Sequence, residues 1–152
     1  MTTRVSRSAL LPYSAESVFD IVNDVSKYPE FLPWCSAVEI LESNDHEIVA
    51  ELSVRARGVQ QTFTTRNILT PPEKIELQLV AGPFEEFSGS WCFKKLGDDE
   101  GCRIELLLNF QLSGVRSLLG ASFLGSPFAR VFTGAADKMV DAFCERANAL
   151  LS

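Results

Sequence analysis

A chain of 152 residues has the length of one domain and can bury a real core without staples. A net charge of −6 excludes bulk attraction to DNA or to anionic lipid and leaves only local basic patches as a route to phosphate. Four cysteines, Cys35, Cys92, Cys102 and Cys144, form no C-x-x-C pair and no metal spacing, so a reduced protein with no metal and no cofactor is expected.

No stretch reaches the apolar length of a membrane span, and Met1–Arg7 carries no signal-peptide core, so the expected location is the cytoplasm. Val5–Leu11 mixes polar and apolar residues and stops at Pro12, which suits a first strand. Ser14 then caps a short helix with Glu16 in its positive first turn. Val18, Phe19, Ile21, Val22 and Val25 form its inner side. A second helical turn around Ser26–Phe31 is kept brief by Pro29 and Pro33.

From Trp34 the apolar period changes to that of strands. Ile48, Ala50, Leu52, Val54 and Ala56 share one face, opposite Arg55 and Arg57. Gly58-Val59 is the expected turn into Gln60–Thr70, which Pro71-Pro72 ends. Ile75, Leu77, Leu79 and Ala81 alternate up to Gly82-Pro83. Phe87, Gly89, Trp91 and Phe93 share a face in the next strand. Residues 97–101 make an acidic hairpin tip, and Cys102, Ile104, Leu106, Leu108, Phe110 and Leu112 line the last strand. Ser126–Leu151 then places Phe128, Phe132, Ala136, Met139, Phe143, Ala147 and Leu150 at alternating steps of four and three, one face of a helix about 37 Å long. Ser126 and Pro127 suit its first turn. Arg146, at the edge of that face, is expected to lay its stem flat with its head in water.

Hairpin succession implies an antiparallel sheet, and about seven strands side by side would be roughly 34 Å wide. One helix is only about 10–12 Å across and cannot cover such a sheet unless the sheet curls around it. The expected fold is therefore α+β, with a curved antiparallel sheet around a long C-terminal helix and two short N-terminal helices closing one end. Such a wrap leaves room for an apolar pocket. Its candidate walls are Phe63, Leu77, Phe87, Trp91, Phe93, Leu108, Phe110, Phe128, Phe132 and Met139, although residue by residue core packing is the better account of each. Tyr28, Trp34, Arg66 and Asn67 are candidate polar contacts for a ligand's head group. Catalytic signals are poor. The single histidine, His46, lies in the polar run Ser43–His46 and reads as a turn. Arg66 has a second reading: on the outer face it joins Arg55 and Arg57 in a basic patch suited to RNA phosphates.

Four blocks carry a resemblance. They are Pro12–Glu16 running through Phe19–Val25 to Tyr28–Cys35, then Phe63–Asn67, then Gly82–Phe84 with Gly89–Phe93, then Met139–Phe143 with Arg146-Ala147. In order and content the chain resembles the family that includes coenzyme Q-binding proteins and ribosome association toxins, within the helix-grip, START-like polyketide cyclase and lipid-transport superfamily. The resemblance implies one non-catalytic domain over residues 1–152 with a hydrophobic tunnel. It implies as partner either an isoprenoid quinone such as ubiquinone, supporting respiration, or the ribosomal large subunit, whose association with the small subunit would be blocked. A cyclase or hydratase on the same scaffold is a third option. With a lipid ligand, the cytoplasmic protein would be peripheral to the inner membrane, and the glycine-rich run 113–125 would serve as a flap touching it or as a loose connection.

Overall fold

The computed structural model describes residues 2–112 and 127–152; the expected cap at Ser126 and the glycine-rich run 113–125 lie outside the described residues. The elements follow in the order β1 (Thr3–Leu11), α1 (Ala15–Asn23), a 3₁₀ helix (Val25–Glu30), β2 (Cys35–Ser43), β3 (Glu47–Ala56), β4 (Val59–Thr70), β5 (Lys74–Ala81), β6 (Phe84–Leu96), β7 (Gly101–Leu112) and α2 (Pro127–Leu151). The seven strands form one curved sheet in the order β1-β7-β6-β5-β4-β3-β2. Every neighbouring pair is antiparallel. β1 pairs with β7 from Thr3↔Phe110 to Leu11↔Cys102, so β1 and β2 are the two edges. The α1 and 3₁₀ segment carries the chain from one edge to the other.

Local chemistry explains most boundaries. The Ser14 side chain accepts the backbone N–H of Ser17 at 3.1 Å, the expected cap of α1. A second cap comes from far away: Asp99 Oδ1 accepts the Ala15 N–H at 3.1 Å. The acidic hairpin tip therefore helps start a helix and does more than add charge. The β3–β4 turn is Arg57-Gly58, one residue earlier than expected. Both residues have positive φ, 52° and 79°, the geometry that matches the twist of a two-residue hairpin. Gly89 is required by close approach, since a Cβ there would lie 2.5 Å from a Leu108 methyl and 2.7 Å from the Leu107 carbonyl.

α2 buries Phe132, Ala136, Val140, Phe143 and Ala147. The face is turned slightly from the expected one. Val140 is inside, Phe128 and Met139 are half-buried, and Leu150 is 54% exposed. Leu150 instead walls a surface hollow with Ile21 and Phe31. Arg146 also departs from expectation. Its guanidinium lies 3.0 Å from Glu30 and 4.9 Å over the Phe31 ring, so its head is paired and stacked. That contact ties α2 to the 3₁₀ segment, and the pairing holds the Glu30 carboxyl below its ordinary range.

Aromatic rings fill the space between helix and sheet in two groups. Phe63, Phe84, Phe110 and Phe132 meet edge to face, with centroids 4.8 Å apart for Phe110–Phe132 and 5.0 Å for Phe84–Phe132. Tyr28, Phe31 and Trp91 surround Phe143 at 5.2 to 5.3 Å.

Candidate functional site

Phe63 and Phe132 of the first group and Tyr28, Trp91 and Phe143 of the second wall one cavity of about 70 Å³. At 10–15 Å³ per water it holds roughly five waters, which is the scale of one isoprene unit and far short of a polyprenyl tail. Of the residues expected from sequence, Tyr28, Trp34, Phe63, Asn67, Leu77, Phe87, Trp91, Leu108, Phe132 and Met139 line it. Val25, Leu52, Thr65, Leu106, Ala135, Ala136 and Phe143 complete the wall. Leu52, Leu106 and Phe143 belong to faces that the periodicity marks as inner. Thr65 had a signal too, because it stands two residues from Asn67 on the same strand face.

Four expected residues sit elsewhere. Arg66 is on the outer face of β4, its guanidinium 2.6 Å from Glu47. Strand alternation forces this once Asn67 points inward. Phe93 lies under α1, its ring 5.3 Å from that of Phe19. Phe110 is 2% exposed and packed against Phe84 and Phe132 with no free face. Phe128 packs half-buried on the same two rings.

The cavity's polar content is small and specific. Thr65 Oγ1 donates to Asn67 Oδ1 at 2.9 Å, and both residues are buried. The Asn67 amide nitrogen is the other polar atom of this wall residue. It is the donor that a ligand oxygen would meet. The Tyr28 hydroxyl is already engaged, donating to the Val22 carbonyl at 2.5 Å. Its burial pushes the phenol above its ordinary value, so it stays neutral.

Arg66 does not join Arg55 and Arg57. It pairs across from Val49, six residues along β3 from Arg55, about 20 Å away at strand rise. Arg57 instead converges with Arg130 and Lys138 on a surface cleft of about 320 Å³. Its floor is apolar, formed by Leu32, Pro33, Val131 and Ala142 among others. Trp34, Ala135 and Met139 belong to the walls of both cleft and cavity.

His46 occupies the β2–β3 turn, where its N–H donates to Asn44 Oδ1 at 2.8 Å. Among the described residues no group of three His, Cys, Asp or Glu is placed to hold a metal ion. The four cysteines are free, and burial pushes the Cys35 and Cys102 thiols up to about 11. Among the described residues no helix is long and apolar enough to cross a membrane.

A curved antiparallel sheet gripping one long helix over an apolar void defines a START-like protein of the helix-grip class. The chain belongs to the polyketide cyclase / dehydrase and lipid transport family, whose model matches residues 11–144. It is 49% identical to the ribosome association toxin RatA of Pseudomonas aeruginosa, over 99% of each chain. It is 29% identical to the mitochondrial coenzyme Q-binding protein COQ10 homolog B of Xenopus laevis, over 94% of this chain and 57% of that one. A START superfamily protein from Mycobacterium smegmatis superposes with a TM-score of 0.73 at 21% identity, covering 97% of this chain and 98% of the other. The resemblance drawn from the four sequence blocks is thereby borne out.

Proposed function

We propose that this chain is a ribosome-associating regulator that works through its surface and catalyses no reaction. The observation that carries this reading is end-to-end likeness, at 49% identity, to a protein named a ribosome association toxin. The interior supports it. Among the described residues the cavity's polar side chains include Asn67, Thr65 and Tyr28, an amide, a hydroxyl, and a phenol that burial keeps neutral and that already donates to the Val22 carbonyl, and none of these is a general base near neutral pH. In this reading the cytoplasmic chain binds the large ribosomal subunit and blocks its joining to the small one, and Arg55 and Arg57 meet RNA phosphates. Sedimentation profiles test it. Overexpression gives an excess of free subunits, and Arg55→Glu with Arg57→Glu abolishes that excess. An unchanged profile on overexpression removes the reading.

The cavity favours a second reading, a binding site for a hydrophobic isoprenoid such as ubiquinone. Burying such a ligand is worth about 25 cal/mol per Å² of apolar area before ordering costs. With room for about one isoprene unit inside, the rest of the chain has to lie along the cleft or part the walls. Organic extraction of freshly purified protein followed by mass spectrometry tests this. Clean protein that also ignores added quinone counts against it. A cyclase or hydratase reading would require Asn67 or Thr65 to orient a reacting polyketide, and turnover of such a substrate is its test.

A further inference from the structure

We propose that the cleft beside α2 seats the head group of a single-chain anionic amphiphile, a carboxylate or a phosphate, whose apolar chain passes between Trp34 and Met139 into the cavity. This deepens the hydrophobic-ligand reading and rests on it.

Three observations converge. First, cleft and cavity are adjoining spaces: Trp34, Ala135 and Met139 wall both, so these side chains are the partition that a chain running from one to the other has to part. Second, the charge is placed and left unspent. Arg57, Arg130 and Lys138 all line the cleft, and no carboxylate does. None of the three engages a carboxylate among the described residues, whereas Arg7, Arg66, Arg103 and Arg146 are each paired. On a chain of net charge −6, three unpaired cations on one concavity form a local field opposite to that of the whole. Third, the floor is kept open. Gly134 stands within α2, where glycine weakens a helix, yet a Cβ there would meet nothing within 4 Å. No packing requires that glycine, and the space above it is cleft.

The chemistry selects the ligand. A neutral quinone head makes no use of three cations. An RNA backbone would use the cations but leave the apolar floor of Leu32, Val131 and Met139 in water. A carboxylate or phosphate on an alkyl or prenyl chain uses both. Guanidinium forks suit either anion, and Lys138 adds a point charge.

The test is a tryptophan-fluorescence titration of the whole chain, whose two tryptophans, Trp34 and Trp91, both line the cavity. The probes are dodecyl phosphate, dodecanoate and dodecanol, each below its aggregation concentration. Both anions are expected to bind about tenfold or more tighter than the alcohol, as hydrogen bonds to charged groups imply. Whichever anion binds tighter names the head. Arg130→Glu with Lys138→Glu, both exposed positions, should erase that difference and leave dodecanol binding unchanged. Gly134→Leu should weaken all three without unfolding the protein. Dodecanol binding as tightly as the anions overturns this proposal and leaves the hydrophobic-ligand reading standing. Failure of all three probes sinks both. An RNA oligonucleotide that binds the wild type, is lost on the double charge reversal and is not displaced by dodecyl phosphate reassigns the cleft and overturns the proposal as well.

Discussion

Tyr28 shows how one side chain can serve two surfaces at once. Its ring edges the cavity and meets Phe143 at 5.3 Å, while its hydroxyl satisfies the Val22 carbonyl near the end of α1. Tyr28→Phe keeps the ring and leaves that carbonyl unpaired, at a cost of about 1–3 kcal/mol in urea unfolding. The same burial sets an alkaline limit. The folded chain holds the Tyr28 proton, and those of Cys35 and Cys102, more tightly than the unfolded chain does. Stability is therefore complete below the ordinary thiol value. It falls as pH rises past about 9, where the unfolded chain begins to lose thiol protons, and further past about 10, where the unfolded tyrosine ionises. The thiol part of the loss is complete near the folded value of about 11. Unfolding curves from about pH 8 to 11 check this, and Tyr28→Phe should flatten the decline above about pH 10.

At the scale of elements, α1 depends on a residue 84 positions away. Asp99 caps Ala15 and also holds a positive φ of 68°, which few side chains tolerate. Asp99→Asn keeps an acceptor and a residue at ease with that backbone, so thermal unfolding should move little. Asp99→Ala loses both and should cost about 0.5–2 kcal/mol, read as a lower melting temperature. Nothing local in the sequence announces that cap, and the hairpin tip reads as merely soluble. The same divide runs through the site. Alternation in β4 and β6 showed which residues face inward, because strand period depends on the chain alone. Which inward residues meet a void depends on partners from other elements, so Phe93 and Phe110 turned out to be packed solid while Thr65 and Ala135 face space. Arg66 was ambiguous until Asn67 fixed the register of its strand. Gly134 is a further case at this scale. Gly134→Ala in α2 should stabilise by about 0.5–1 kcal/mol, since the helix gains propensity and the added methyl meets open space. In a chain of this size that raises the melting temperature by about 2–4 °C per kcal/mol.

Taken whole, the two functional readings share Arg57, which lines the cleft, and differ in whether the interior takes part. Ribosome association would use exposed cations on an acidic chain, whereas a ligand would use the cavity and the cleft that adjoins it. A change that fills the inside while sparing the outer charges therefore tells them apart. Ala135 is suited to this because it walls both spaces and carries no charge. Ala135→Leu puts three further carbons where the void is, and a helix accepts leucine well. Filling unoccupied space should leave the melting temperature unchanged or raise it. If the surface acts alone, Ala135→Leu still produces free ribosomal subunits on overexpression, and Arg55→Glu with Arg57→Glu does not. If a bound amphiphile is needed for that action, the plugged variant loses the effect with its charges intact, and purified protein carries no extractable lipid. Sedimentation profiles and lipid extraction on the same two variants decide the matter, because a void that is only a packing defect would leave both measurements untouched by the plug.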